Sequence, residues 1–144
     1  MRWRHHAFAE LTLDELYAIM ALRERVFVVE QRCAYLDADG HDQVAQHVWH
    51  EDDDRAIRCY ARILPAGVRF ASVNIGRVIV APEARGTGLG RDLMQYALGL
   101  CGRVPVELGA QAHLEAFYAS LGFARSSDVY DEDGIAHVDM LRAA

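Results

Sequence analysis

The run Val78-Ile79-Val80-Ala81-Pro82-Glu83-Ala84-Arg85-Gly86-Thr87-Gly88-Leu89-Gly90-Arg91 constrains this chain more than any other segment. An apolar strand stops at a proline and three glycines follow at alternate positions. Leu89, Leu93, Tyr96, Ala97 and Leu100 then mark one face of a helix. A strand that turns through glycines into a helix points several backbone N–H groups, and the positive end of the helix dipole, at one spot. Such a spot binds phosphate. Gly86, Gly88 and Gly90 permit positive φ and close approach of the backbone, while Arg85 and Arg91 bring positive charge to a chain of formal net charge −6. No Gly-Lys-Ser/Thr follows, so the run is not a P-loop, and its G-x-G-x-G spacing misses the dinucleotide G-x-G-x-x-G.

The remainder of the chain sets bounds on what this unit serves. Its 144 residues fit one domain, 1–144, with a core that needs no disulfide or metal staple. Cys33, Cys59 and Cys101 have neither metal-ligand nor redox spacing and read as reduced thiols. His5, His6, His41 and His50 form no ligand pattern either, so no metal is expected. The apolar stretches are too short to span a membrane, and no apolar leader core follows the basic residues of the N-terminus, which places the protein in the cytoplasm. All 15 basic residues are arginine, and the acidic balance argues against general nucleic-acid binding. Between Glu30 and Asp54 eight acids face one base, Arg32. A field of that sign favours a cationic partner such as an amine. The pattern leaves the oligomeric state open, a homodimer included.

Element by element, residues 3–9 predict a strand, and Thr12 with Glu15 forms a capping box that opens a helix on which Leu13, Leu16, Tyr17, Met20 and Phe27 repeat. An Asp- and Gly-rich loop covers about 32–42. Strands follow at about 43–51, 56–64 and 71–81, and again after the central helix at 104–108. Leu114, Phe117, Tyr118 and Leu121 mark another helix, and a final hairpin runs 123–131 and 135–142 around Asp133-Gly134. Strand pairs on either side of a strand–helix–strand–helix centre predict a mixed α/β layer fold.

With Arg85, Gly88 and Gly90 in its three defining places, the loop resembles the acyl-CoA signature R/Q-x-x-G-x-G/A of the GNAT acetyltransferase family. The resemblance covers essentially the whole chain. Phe117-Tyr118-Ala119-Ser120-Leu121-Gly122-Phe123 looks like the family's second landmark, whose tyrosine commonly protonates the departing CoA thiolate. Gln111 stands where family members often have Asn. More narrowly, Val26-Phe27-Val28-Val29-Glu30-Gln31, Tyr60-Ala61-Arg62-Ile63-Leu64, Ile75-Gly76-Arg77-Val78-Ile79-Val80, the segment 108–114 and Glu132-Asp133-Gly134-Ile135-Ala136-His137 resemble the ElaA group. The N-terminal half is also similar to acyl-homoserine-lactone synthases, in Val26-Phe27, Asp37-x-Asp39-x-x-Asp42 and Arg62.

What the family resemblance implies is a mostly antiparallel, splayed central sheet flanked by helices, acetyl-CoA as co-substrate, and a small-molecule or peptide amine as acceptor. It implies that the strand bearing Val78, Ile79 and Val80 holds the pantetheine arm with free N–H groups, that the loop Arg85 to Arg91 (with Thr87 and Leu89) takes the pyrophosphate, and that Tyr118 is the acid. The amine must arrive neutral, and at pH 7 only about one lysine-type amine in 2,500 is neutral. A base is therefore useful, and an imidazole suits the task. His47, His137, Glu30 and Asp139 are the candidates. A non-catalytic acyl-CoA sensor would use the same loop, and a lactone-synthase-like acyltransferase the same architecture.

Overall fold

The computed structural model describes residues 2–144. Eight strands form one sheet: β1 (Arg2–Ala7), β2 (Gln46–Glu51), β3 (Ile57–Leu64), β4 (Val73–Val80), β5 (Val106–Gln111), β6 (Ala124–Arg125), β7 (Tyr130–Glu132) and β8 (Ile135–Arg142). Their order is β1-β2-β3-β4-β5-β8-β6, with β7 also paired to β8. The neighbours are antiparallel except for β4 and β5, which run parallel and pair only at Val73↔Val106 and Asn74↔Glu107. Beyond that point the two strands part, which is the splay expected of the sheet.

The parting has a local cause. Opposite Ala61 of β3, strand β4 places two residues, Arg77 and Val78, because Tyr60 pairs with Ile79 and Arg62 with Gly76. Arg77 carries the extra residue at φ 50°, a left-handed conformation that non-glycine residues seldom adopt. The bulge re-aims the second half of β4 away from β5.

Side chains alternate between two cores. On one face, α2 (Leu89–Cys101) sets Leu93, Met94 and Ala97 against Ala61, Ile75, Leu108 and Met140, and α3 (Glu115–Ala119) adds Tyr118. On the other, α1 (Leu13–Arg23) and the wide turns that continue it through Glu24–Glu30 set Ile19, Leu22 and Val26 against Trp49, Tyr60 and Ile79. No helix among the described residues is long and apolar enough to cross a membrane.

The capping box of α1 forms as expected: Glu15 N–H donates to Thr12 Oγ1 (3.0 Å) and Thr12 N–H to Glu15 Oε1 (2.9 Å). Its buried face is different from the one its apolar spacing suggests. Leu13 and Tyr17 are 86% and 80% exposed, while Ile19, Leu22, Arg23 and Val26 point inward. The buried Arg23 explains the rotation, because its partners lie under the sheet face. It donates from Nε to Asp37 (2.7 Å) and from Nη1 to Asp42 (2.7 Å).

Arg62 joins the same cluster, donating from Nη1 to Asp39 (2.8 Å) and to Asp42 (3.0 Å), and Arg77 Nε lies 2.8 Å from Asp37 Oδ1. Three arginines thus match Asp37, Asp39 and Asp42. The expected negative field over this segment is corrected accordingly: its three loop carboxylates are neutralised by distant arginines, Glu30 pairs with Arg85, Glu51 with Arg2 and Arg4, and Asp52 with Arg58. Burial pushes the Asp42 carboxyl up, but hydrogen bonds and charge from Arg23 and Arg62 outweigh it and hold it below the usual carboxylate range.

Removing one member of a buried charge cluster leaves its partners desolvated and unpaired, at a cost of about 3–5 kcal/mol. Arg62→Leu is expected to lower unfolding free energy by that amount in a denaturant titration. A loss of under about 1 kcal/mol, the range of surface pairs, would mean that the cluster contributes no more than exposed ion pairs do.

Candidate active site

The split between β4 and β5 opens three adjoining cavities. A groove of about 680 Å³ runs between β4, the turn at Arg85 to Gly90, and α3, lined by Val78, Ile79, Val80, Phe117 and Tyr118 among others. A small wedge of about 110 Å³ lies in the fork itself, walled by Gly76, Val78, Leu108, Gly109 and Tyr118. On the far side a pocket of about 360 Å³ is lined by Phe27, Tyr35, Arg77, Glu132, Ile135 and His137. Phe27 and Gln111 border all three.

At the mouth of the groove the glycine loop takes the form its sequence predicts. Gly86 and Gly88 have φ of 78° and 82°, and Gly88 caps α2 in the left-handed conformation. Asp92 N–H donates to the Gly88 carbonyl (3.2 Å), the first bond of the helix, so the N–H groups just before it have no intrahelical acceptor. Thr87 Oγ1 donates to the Ala84 carbonyl (2.7 Å) and closes the turn. A Cβ on Gly90 would stand 3.5 Å from Val80 Cγ2 and 3.9 Å from Phe117 Cζ, ordinary contact distances that place the helix start against β4 and α3. The two arginines are engaged at their tips. Arg85 forms a two-pronged pair with Glu30 (2.6 and 3.0 Å), and Arg91 donates to Ser120 Oγ (2.7 Å) with its guanidinium over the Phe117 ring.

Tyr118 reaches the groove and the wedge from α3. It is 6% exposed, its hydroxyl has no hydrogen-bond partner among the described residues, and burial pushes its phenol up to about 12. It is a protonated donor aimed at a cavity, with its ring packed edge-on to Phe117 and Phe123.

The four candidate bases fall in different environments. His137 stands on β8 opposite Gln111 of β5 and Tyr130 of β7, half-buried beside both the wedge and the far pocket. Its Nδ1–H donates to the Ile135 carbonyl (2.8 Å), which in the neutral ring leaves the lone pair on Nε2. Glu132 Oε2 lies 3.5 Å from that nitrogen. The ring stacks on Tyr130, whose hydroxyl donates to Asp139 (2.6 Å), so Asp139 is occupied in holding the stack. Glu30 is held by Arg85, which keeps its carboxyl below the usual range.

His47 lies away from the three cavities and is fully buried. Its Nε2–H donates to the Asp42 carbonyl (2.9 Å) and its Nδ1 accepts from the Tyr60 hydroxyl (2.6 Å). Both nitrogens are used, and desolvation lowers the ring's affinity for a proton. Sequence reasoning did not single out Tyr130, Glu132 or Arg77 for the site. Tyr130 and Glu132 flank the recognisable Asp133-Gly134 turn, whereas the bulge at Arg77 leaves no mark in the residue pattern.

Comparison with known proteins follows the same lines. Residues 21–143 match the family described as Acetyltransferase (GNAT) domain. The chain is 43% identical over 150 residues to Protein ElaA of Escherichia coli (strain K12), covering 99% of this chain and 96% of that one. A crystal structure of an acyl-CoA N-acyltransferase from Pseudomonas aeruginosa superposes with a TM-score of 0.92 at 43% identity, over 99% of this chain and 100% of the other. An aminoglycoside 6′-N-acetyltransferase complexed with coenzyme A shares the fold at 13% identity, with a TM-score of 0.70 over 96% of each chain.

Because His47 is buried neutral, its folded-state pKa lies below the unfolded value near 6.5. The unfolded chain binds the extra proton, so this residue's contribution is present above about pH 6.5 and is lost as pH falls through the folded value. His47→Gln is expected to flatten the decline of melting temperature as pH falls below about 6.5. An unaltered slope in the variant would assign the acid sensitivity elsewhere.

Proposed function

We propose, from the premise that this chain belongs to the GNAT acetyltransferase family, that it is an N-acetyltransferase, 1–144 acting as one domain, which moves an acetyl group from acetyl-CoA to a primary amine. The observation that carries this reading is that the Tyr118 phenol and His137, whose Nδ1 is held by the Ile135 carbonyl and whose Nε2 lies 3.5 Å from Glu132, both line the wedge at the β4–β5 fork. An acid for the leaving thiolate and a base for the entering amine are needed there.

In this reading the pyrophosphate rests on the N–H groups from Gly86 to Gly90, and the pantetheine arm lies along Val78, Ile79 and Val80, where the N–H groups of Val78 and Val80 face the gap that the splay opens toward β5 while Ile79 keeps to the β3 side. A β4 N–H polarises the thioester carbonyl and holds its developing oxyanion. The amine enters by the far pocket as an ammonium ion, which gives one proton to His137 Nε2, directly or through a water, and Glu132 stabilises the resulting imidazolium. The neutral nitrogen then attacks the carbonyl carbon, and its second proton leaves to solvent as the amide forms. The C–S bond then breaks as Tyr118 gives its proton to the sulfur. The Arg85–Glu30 pair opens or turns toward the phosphate when CoA binds, and Arg91 flanks the same path. His47 serves as a structural hub, because both its nitrogens are committed.

Two variants test the assignment in one pH–rate experiment. His137→Gln should depress the rate most at low pH with a high-pKa amine, and the deficit should shrink from about pH 6.5 to 9.5 as solvent supplies more neutral amine. Tyr118→Phe should cost about a hundredfold, the low end for a general acid because a thiolate leaves readily, and its ratio should stay flat while the phenol remains protonated. A flat ratio for a folded His137→Gln, or full activity in Tyr118→Phe, would remove that residue from the mechanism.

A further inference from the structure

We infer that the acceptor is an α-amino acid with an apolar side chain, whose carboxylate is taken by Arg69 while its amine meets His137. The inference rests on the acyl-transfer reading above and names the class of amine that the far pocket admits.

Arg69, Glu132 and His137 line both the far pocket and the wedge. Glu132 stands between the other two: its Oε2 lies 3.5 Å from His137 Nε2 and its Oε1 lies 3.8 Å from Arg69 Nη2. The base and the guanidinium are thus held on the two oxygens of one carboxylate. With hydrogen bonds of about 2.9 Å at either end, the span left for the acceptor suits an amine and an anion carried on the same carbon. A peptide's terminal amine has a neutral amide at that place, and a lysine side chain has no anion near its nitrogen.

Arg69 is the cation left for such an anion. It sits on the loop between β3 and β4 with its side chain 35% exposed, and its one ion pair among the described residues is the long one with Glu132. A guanidinium carries five donors in a fork that matches a carboxylate. Arg77, the other arginine at the pocket, is already committed to Asp37 and Asp39, and Asp39 takes Arg62 as well. Those charges cancel among themselves. Asp133 belongs to the exposed turn, so the charges that flank the base are Arg69 and Glu132, of opposite sign and side by side. A zwitterion complements that pair, its carboxylate on Arg69 and its ammonium between Glu132 and His137. Phe27, Leu36, Ile135 and the ring of Tyr35, whose hydroxyl donates to Asp37 (2.9 Å), supply an apolar wall for the side chain. The carboxylate takes no part in the bond changes, which are those given above.

Steady-state acetylation of phenylalanine and leucine, against 2-phenylethylamine and 3-methylbutylamine, the same molecules without the carboxylate, tests this. In the wild type each amino acid should exceed its decarboxylated partner in kcat/KM by about tenfold, the low end for a charge-assisted hydrogen bond because Arg69 is partly exposed. That ratio should fall to about one in Arg69→Gln, a change on an exposed loop. Both members of a pair meet the same base, so whatever the variant does to His137 through Glu132 cancels in the ratio. A wild-type ratio of one or below, a ratio that survives in the folded variant, 1,4-diaminobutane used tenfold better than either amino acid, or CoA release with other amines but with neither amino acid would overturn the inference while leaving the acyl-transfer reading intact. Bound acetyl-CoA with no release from any amine would instead remove the reading on which it rests.

Discussion

Arg77 joins the two features on which everything else in this molecule depends. Its backbone, at φ 50°, makes the bulge that turns β4 away from β5, and a left-handed non-glycine residue costs on the order of 1 kcal/mol or more. Its side chain returns that cost by pairing with Asp37 and Asp39 between the rings of Phe27 and Tyr35. The same aspartates hold Arg23 of α1 and Arg62 of β3. One buried, charge-balanced cluster therefore fixes the rotation of α1, the course of the 32–42 loop and the opening of the sheet. Without the bulge the two strands would continue their ladder, and no cavity would connect the glycine loop to His137.

The two cores divide the work. The α2 side is a conventional sheet–helix interface, with Leu93, Met94 and Ala97 at 0% exposure, and it gives the glycine loop a rigid base. The α1 side is built around ion pairs and aromatic rings, and the wide turns of Glu24–Glu30 bring Phe27 to the junction of all three cavities. Wide turns of this kind recur at functional positions because they re-aim one side chain without ending the helix. The apolar core thus positions the glycine loop, and the ionic one shapes the far pocket.

Local signals were readable from the residues alone, and signals that depend on distant partners were not. The glycine loop, the capping box and the Asp133-Gly134 turn, with φ of 53° and 82°, each state their geometry within a few residues. The GNAT resemblance supplied the splay. Asp37, Asp39 and Asp42 read as an acidic surface because their arginine partners lie 14 to 40 residues away. Strand alternation could not separate His47 from His137, since the difference is whether both ring nitrogens are already spoken for. Strand β5 extends to Gln111 through Gly109 and Ala110, poor strand formers that β8 holds in register.

Thiol release from acetyl-CoA across a panel of primary amines tests whether bound acetyl-CoA is attacked by an amine inside the β4–β5 fork. Amine-dependent release of CoA is expected, with the acetylated amine found by mass, and its loss in Gly88→Glu, where a carboxylate and a strained backbone at φ 82° would stand in the glycine loop proposed to hold the phosphates. Tight acetyl-CoA binding with no release from any amine would make the chain a sensor. Undiminished release by a folded Gly88→Glu protein would mean that CoA does not bind at the glycine loop.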